Sequence, residues 1–166
     1  GDGPGLGVGA VYSDTGGRSW TAGGFSACHQ TAYGCGGEPA AVELANKTVW
    51  VLTRRAMVDW SPDEGEAVLM QAWSDDGGAT FRGPQVPSRF ISYGAPPTLL
   101  RLRRNVDRFV SRAAPGFDRA PIVIIYNNAR QLSRFDGGTE ETARSILHAA
   151  ISLDGGRSWR GHREVL

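Results

Sequence analysis

Apolar and polar residues alternate along this chain in short bursts, with turn-forming residues between them. Gly7-Val8-Gly9-Ala10-Val11-Tyr12, Ala67-Val68-Leu69-Met70-Gln71-Ala72-Trp73 and Ile146-Leu147-His148-Ala149-Ala150-Ile151 are rich in β-branched or aromatic side chains and stop at Ser, Asp and Gly. Such runs predict strands. Further strands are predicted over Pro39–Leu44, Thr48–Arg54, Thr98–Leu102 and Pro121–Asn127. Only residues 105–112 offer a conceivable helix, and a short one. The expected class is all-β.

The same punctuation follows three of these strands. Residues 13–20, 74–81 and 152–159 share the pattern Ser-x-Asp-x-Gly-x-Ser/Thr-aromatic. The first copy is degenerate, with Thr15 where the others carry Asp76 and Asp154. Each residue type has a task. The Asp accepts hydrogen bonds from backbone N–H groups and holds a tight turn. The Gly pair (Gly16-Gly17, Gly77-Gly78, Gly155-Gly156) allows positive φ where the chain reverses. The hydroxyls tie the turn's backbone, and the final aromatic is expected to anchor the next strand in the core. A unit is therefore strand, turn, strand. With about four strands per unit, the pattern predicts blades of a β-propeller with long loops. The turns themselves are structural, at blade edges.

Composition narrows the partners. Of 166 residues, 40% are hydrophobic, so a packed core is expected, and 23 Gly with 9 Pro suit strands and turns rather than helices. No stretch reaches the roughly 18 apolar residues of a membrane helix, and no signal peptide is visible in the segment; the compartment stays open. The net charge of +1 argues against nucleic acid. Arg101, Arg103, Arg104 and Arg108 form the densest basic run, without interleaved aromatics for base stacking. Cys28 and Cys35 flank His29. No second ligand pair supports a zinc site, and both a local disulfide and two thiols remain open. Asn46-Lys47-Thr48 fits a glycosylation sequon, which matters only in a eukaryotic secretory setting.

The three turns resemble the Asp boxes of the sialidase (neuraminidase) superfamily, and a second segment strengthens the resemblance. Gly36-Gly37-Glu38-Pro39-Ala40-Ala41-Val42-Glu43-Leu44, running on to Trp50-Val51-Leu52-Thr53-Arg54, is similar to that family's Glu-Pro-x-Val-Val-Glu-Leu stretch and its following apolar strand. The resemblance implies that Glu38 activates a catalytic tyrosine and that Arg54 belongs to an arginine triad holding the substrate carboxylate, with Arg55 the alternative register. Ile124-Ile125-Tyr126-Asn127-Asn128, followed after a loop by Arg144, makes Arg144 a second triad member; Arg130 and Arg134 in that loop are lesser candidates. Ser92–Pro97 falls where relatives have a loop near the sugar pocket. Glu43 points to the opposite face from Val42 and Leu44 and is expected to be structural. His148 is expected to be a core histidine.

The implied activity is removal of a terminal sialic acid, or a related nonulosonic acid, from a glycan. Arginine forks grip the sugar's carboxylate. A tyrosine serves as nucleophile, with Glu38 taking its proton. A carboxylate nucleophile would meet repulsion from the substrate's own carboxylate. The family domain has six blades and this chain about three, spanning residues 1–166 as a partial domain; the remaining blades lie outside it. So do the first triad arginine, the acid/base aspartate and the tyrosine, a role transferred to neither Tyr93 nor Tyr126. The segment alone is therefore expected to be inactive. No metal or cofactor is required; Asp63, Glu64 and Glu66 read as a solvated turn. Two alternatives stay open: a non-catalytic carbohydrate-binding or scaffolding propeller, and a hydrolase of another acidic sugar.

Overall fold

In the computed structural model of the chain, residues 7–27, 36–55, 68–92, 95–102, 120–128 and 146–165 are described. They form ten strands and no helix. A two-stranded hairpin pairs β1 (Gly7–Tyr12) with β2 (Thr21–Ala27). A four-stranded sheet follows in the order β3 (Gly36–Glu43), β4 (Val49–Arg55), β5 (Val68–Ser74), β6 (Val86–Ile91). A second runs β7 (Thr98–Arg101), β8 (Ile122–Asn127), β9 (Leu147–Ser152), β10 (Arg160–Glu164). Every pairing is antiparallel between chain neighbours, so each sheet is an up-and-down meander. Among the described residues no sheet closes on itself. The strand boundaries fall within a residue or two of those predicted, except that β3 begins three residues early, at Gly36.

The Ser-Asp turns each close a hairpin: β1–β2, β5–β6 and β9–β10. Their hydrogen bonds repeat atom for atom. Ser74 Oγ accepts from Gly78 N at 2.8 Å and donates to Asp76 Oδ1 at 2.8 Å. Asp76 in turn accepts from Thr80 N at 2.8 Å and from Thr80 Oγ1 at 2.5 Å. In the third turn Ser152, Gly156, Asp154 and Ser158 make the same four bonds at 2.7, 2.9, 2.8 and 2.5 Å. The degenerate first turn keeps the plan with one hydroxyl in place of a carboxylate. Gly17 N donates to Ser13 Oγ at 2.8 Å, and Thr15 Oγ1 accepts from Ser19 N at 2.9 Å. All three Gly pairs have positive φ, at 66° and 86°, 73° and 99°, and 70° and 86°. A side chain there would sit in the left-handed region.

The core lies between the two four-stranded sheets. Val42, Trp50, Leu52 and Leu69 from one side meet Ile122, Ile124, Tyr126 and Ala150 from the other, with Phe90 among them. These positions alternate along each strand, as one buried face requires. Trp159, the last residue of the third turn, sits 5.9 Å from Trp50 and edge-on to Phe90 at 5.1 Å, measured between ring centroids. Here the aromatic anchors the core as expected. Trp20 does not: it is 65% exposed. Its ring lies near Gly17, whereas the Trp159 indole N–H donates to Gly156 O at 3.1 Å, and no described sheet covers Trp20.

The hairpin meets the first four-stranded sheet along a seam of backbone. Gly24 N donates to Gly78 O at 2.8 Å. A Cβ on Gly23 would stand 2.2 Å from Gly78 O, so no side chain fits there. Buried polar bonds continue the seam: Thr53 Oγ1 donates to Gln85 Oε1 at 2.7 Å, Gln85 N donates to Ala27 O at 3.0 Å, and Ser26 Oγ donates to Gly83 O at 2.8 Å. Among the described residues no helix is long and apolar enough to cross a membrane.

Two outcomes are expected. Leu52 is fully buried, so Leu52→Ala should lower unfolding free energy by about 2–5 kcal/mol in urea titration. Hydrogen bonds from the Thr80 hydroxyl and N–H hold Asp76 at about 2, below its usual 3.8. A depressed carboxyl stabilises the fold fully above its unfolded value and loses that contribution as pH falls through the folded one. The thermal stability advantage of the native protein over Asp76→Asn should therefore be constant above 3.8 and shrink as pH approaches 2. The same comparison for Thr15→Val should show no such pH window, because a hydroxyl does not titrate there.

Candidate functional site

The two ends of the first four-stranded sheet differ in chemistry. Val49 pairs with Ser74 at the turn end, while Gly36 pairs with Arg55 and Gly37 with Arg54 at the other. Glu38 and Arg54 thus lie at the end away from the Ser-Asp turn. β3 is an edge strand of its sheet and lies alongside both β1 and β7.

Glu38 sits in an irregularity of that edge. The pairing jumps from Gly37↔Arg54 to Ala40↔Leu52, leaving one extra residue on β3. This is a β-bulge, which re-aims a side chain. Glu38 has φ 49° there, in the left-handed region that non-glycine residues seldom occupy. Pro39 follows and donates no ladder hydrogen bond, as an edge or bulge position permits.

The bulge brings the carboxylate onto Arg54. Glu38 Oε2 lies 2.5 Å from Arg54 Nε; the arginine side chain is 27% exposed and the glutamate 51%. Two residues predicted to share a site are therefore in direct contact. The contact offers a half-exposed carboxylate able to accept a proton and a more sheltered guanidinium able to grip an anion. Arg54 faces the same side of its strand as Trp50 and Leu52, toward the second four-stranded sheet.

Arg144 lies outside the described residues, as do the lesser candidates Arg130 and Arg134. So do Cys28, His29 and Cys35, Tyr93, the basic positions 103, 104 and 108, the short helix conceived over 105–112, and Asp63, Glu64 and Glu66. The side chain of Arg55 is likewise not described. Ser92 is fully buried and donates to Ala95 O at 3.2 Å, fixing the start of its loop. Glu43 is exposed and pairs with Lys47 at 2.9 Å, a local surface pair. Among the described residues no group of three or more His, Cys, Asp and Glu could hold a metal ion.

One cluster has no counterpart in any sequence motif. Tyr126 is buried, its hydroxyl 3.1 Å from His162 Nδ1. His148 is its cross-strand partner, with ring centroids 6.3 Å apart. Burial pushes the Tyr126 phenol up from its usual value, so it stays protonated. It can then donate to His162 in the tautomer whose Nδ1 carries no proton. His148 is half-buried on the core side of β9, but its buried Nδ1 has no hydrogen-bond partner among the described residues, unlike the satisfied core histidine expected. Only the strand register, with a bulge at Gly161, brings these rings together.

No model of a known protein family matches the chain, and no curated protein matches it. The site must be judged on its geometry.

That geometry makes a stability test informative. Glycine accepts φ 49° freely, and an ion pair whose carboxylate is half exposed contributes about 1 kcal/mol or less. Glu38→Gly should leave the thermal midpoint unchanged or raise it. A fall of several degrees in a thermal melt would mean that Glu38 is structural.

Proposed function

We propose that the chain forms blades of a sialidase-like β-propeller, about three of six, and that the whole propeller hydrolyses terminal sialic acid or a related acidic sugar from glycans. The observation that carries this reading is the Glu38–Arg54 contact on a strained bulge, at the sheet end opposite the Ser-Asp turns. Strained backbone of this kind concentrates at functional sites. Two four-stranded meanders, each closed by the same turn between its third and fourth strands, support the blade reading. The hairpin β1–β2 supplies the corresponding last two strands of a further blade.

In this proposal Arg54 and Arg144 bind the sugar's carboxylate. Glu38 accepts the proton of a tyrosine contributed by another blade as its phenolic oxygen attacks the anomeric carbon. The glycosidic bond breaks, an acid from another blade protonates the leaving oxygen, and water then releases the sugar. No metal or cofactor takes part.

The closed Glu38–Arg54 pair also favours a second reading, a carbohydrate-binding propeller in which each group only orients the other. A fluorogenic sialoside, offered to the polypeptide that supplies all six blades, separates the two. Glu38→Gln is expected to lower turnover by about 10²–10⁴-fold, the usual worth of a general base. Equal rates in both proteins, or no turnover in either, would overturn the hydrolase reading. Retained sugar binding without turnover would favour the binding module.

A further inference from the structure

The Glu38–Arg54 pair stands in the way of the ligand proposed for it. A sugar carboxylate and the Glu38 carboxylate carry the same charge and compete for the same guanidinium. Glu38 Oε2 already lies 2.5 Å from Arg54 Nε. An incoming anion therefore meets an arginine whose charge is largely answered, with a like charge beside it. Two carboxylates can share Arg54 only against their mutual repulsion. Otherwise one must displace the other.

The two side chains are not equally free to give way. Arg54 stands on an inner strand, β4, with β3 on one side and β5 on the other, and it is the more sheltered of the pair. Glu38 stands on the edge strand β3 and is half exposed. The strand register passes over Glu38, from Gly37↔Arg54 to Ala40↔Leu52, so rotation of its side chain leaves the ladder intact. Water on the open side can solvate the released carboxylate. A pair this exposed holds itself closed by about fivefold at most, which a carboxylate gripped by an arginine fork can overcome.

We infer that Glu38 is a charge gate on Arg54, one that gives way to the carboxylate of an acidic sugar and stays shut to a neutral one. A hydroxyl of a neutral sugar offers the guanidinium only the weaker hydrogen bond of an uncharged group and leaves the ion pair closed. The inference rests on the hydrolase reading above and adds a selection step to it: the anion that occupies Arg54 is what frees Glu38 for proton transfer. It also reverses an intuitive expectation. When only a fraction of a site is open, apparent affinity falls by that fraction, so removing the Glu38 charge should tighten the binding of an acidic sugar. A Glu38 that merely orients Arg54 predicts the opposite, because the guanidinium would lose its aim.

Binding measured apart from turnover provides the test. Free N-acetylneuraminic acid is titrated by calorimetry into the polypeptide that supplies all six blades and into its Glu38→Gln and Glu38→Gly forms. The methyl ester of the same sugar serves as the uncharged control. Position 38 is half exposed, so both variants should fold, which circular dichroism checks. Each variant is expected to bind the acid about two- to fivefold more tightly than the native protein, and the ester no more tightly. Unchanged or weaker binding of the acid in either variant would overturn the gate, make Glu38 an orienting group and leave the hydrolase reading standing. An equal gain for the ester would overturn the gate as well, since the ester brings no charge to compete. Binding of the acid by none of these proteins, with no turnover of a sialoside, would overturn the hydrolase reading and the gate with it.

Discussion

Three buried or half-buried serine hydroxyls govern this fold. Each of Ser13, Ser74 and Ser152 stands at the end of a strand and accepts the N–H of the glycine four residues on. That bond holds the chain in its reversal while two glycines pass through the left-handed region. A buried hydroxyl left unbonded would cost about 1–3 kcal/mol, so serine and turn are coupled. Ser74 and Ser152 are fully buried and each also donates to its Asp, which fixes the carboxylate for the second half of the turn. Asp154 shows the balance of forces. Burial raises its pKa, yet the hydrogen bonds from Ser158 and Ser152 outweigh burial and hold it below normal. Thr15 reaches the equivalent backbone N–H and hydroxyl of Ser19 with a single oxygen, which explains how the first turn keeps its shape without a charge.

The turns also join one sheet to the next. The second turn offers its backbone: Gly78 O takes the N–H of Gly24, and Gly23 must lack a side chain to let it in. The third offers its aromatic, with Gly156 resting on Trp50 and Trp159 wedged between Trp50, tilted against it, and Phe90, edge-on to it. Local turn chemistry is thus the source of long-range packing. Around the second turn, Asp75 binds Arg82 and the Thr48 hydroxyl, which pins the turn to the β3–β4 connection. Arg82 lowers the Asp75 pKa more than any other group does, with Thr48 next. Leu153 occupies the corresponding place in the third turn and makes no such tie. That seam rests on rings instead.

Much of this architecture is legible in the sequence because it is local. Strand, turn and strand lie within about twenty residues of each other, and alternation marks the buried side. Val42 inward and Glu43 outward follow directly. Less legible is whatever depends on register or on a neighbouring sheet. Trp20 and Trp159 both end a Gly-Gly-Arg-Ser-Trp run; one is exposed and the other partly buried because, among the described residues, only Trp159 has a sheet beside it. Sequence pattern cannot state that difference. Nor can it place His148 and His162 against Tyr126, since that meeting depends on a bulge at Gly161. At the site, the resemblance names Glu38 and Arg54 with separate roles in one expected site. The bulge and the left-handed backbone that bring them into contact are not legible, because the preceding glycines and following proline fit an ordinary loop equally well.

The energetics of that contact separate a structural role from a functional one. A fully exposed ion pair contributes about 0–1 kcal/mol; with Glu38 half exposed and Arg54 more sheltered, the Glu38–Arg54 pair stands near the upper end of that range. A non-glycine residue held in the left-handed region costs about 1–3 kcal/mol. On those magnitudes the pair does not offset the conformation that creates it. Neighbouring Gly36 and Gly37 show that the chain uses glycine freely at this strand end, and glycine at position 38 would remove the strain at no cost to the bulge. Keeping glutamate there places a carboxylate on a partly sheltered guanidinium at the edge of the sheet. What glycine could not supply is the charge itself.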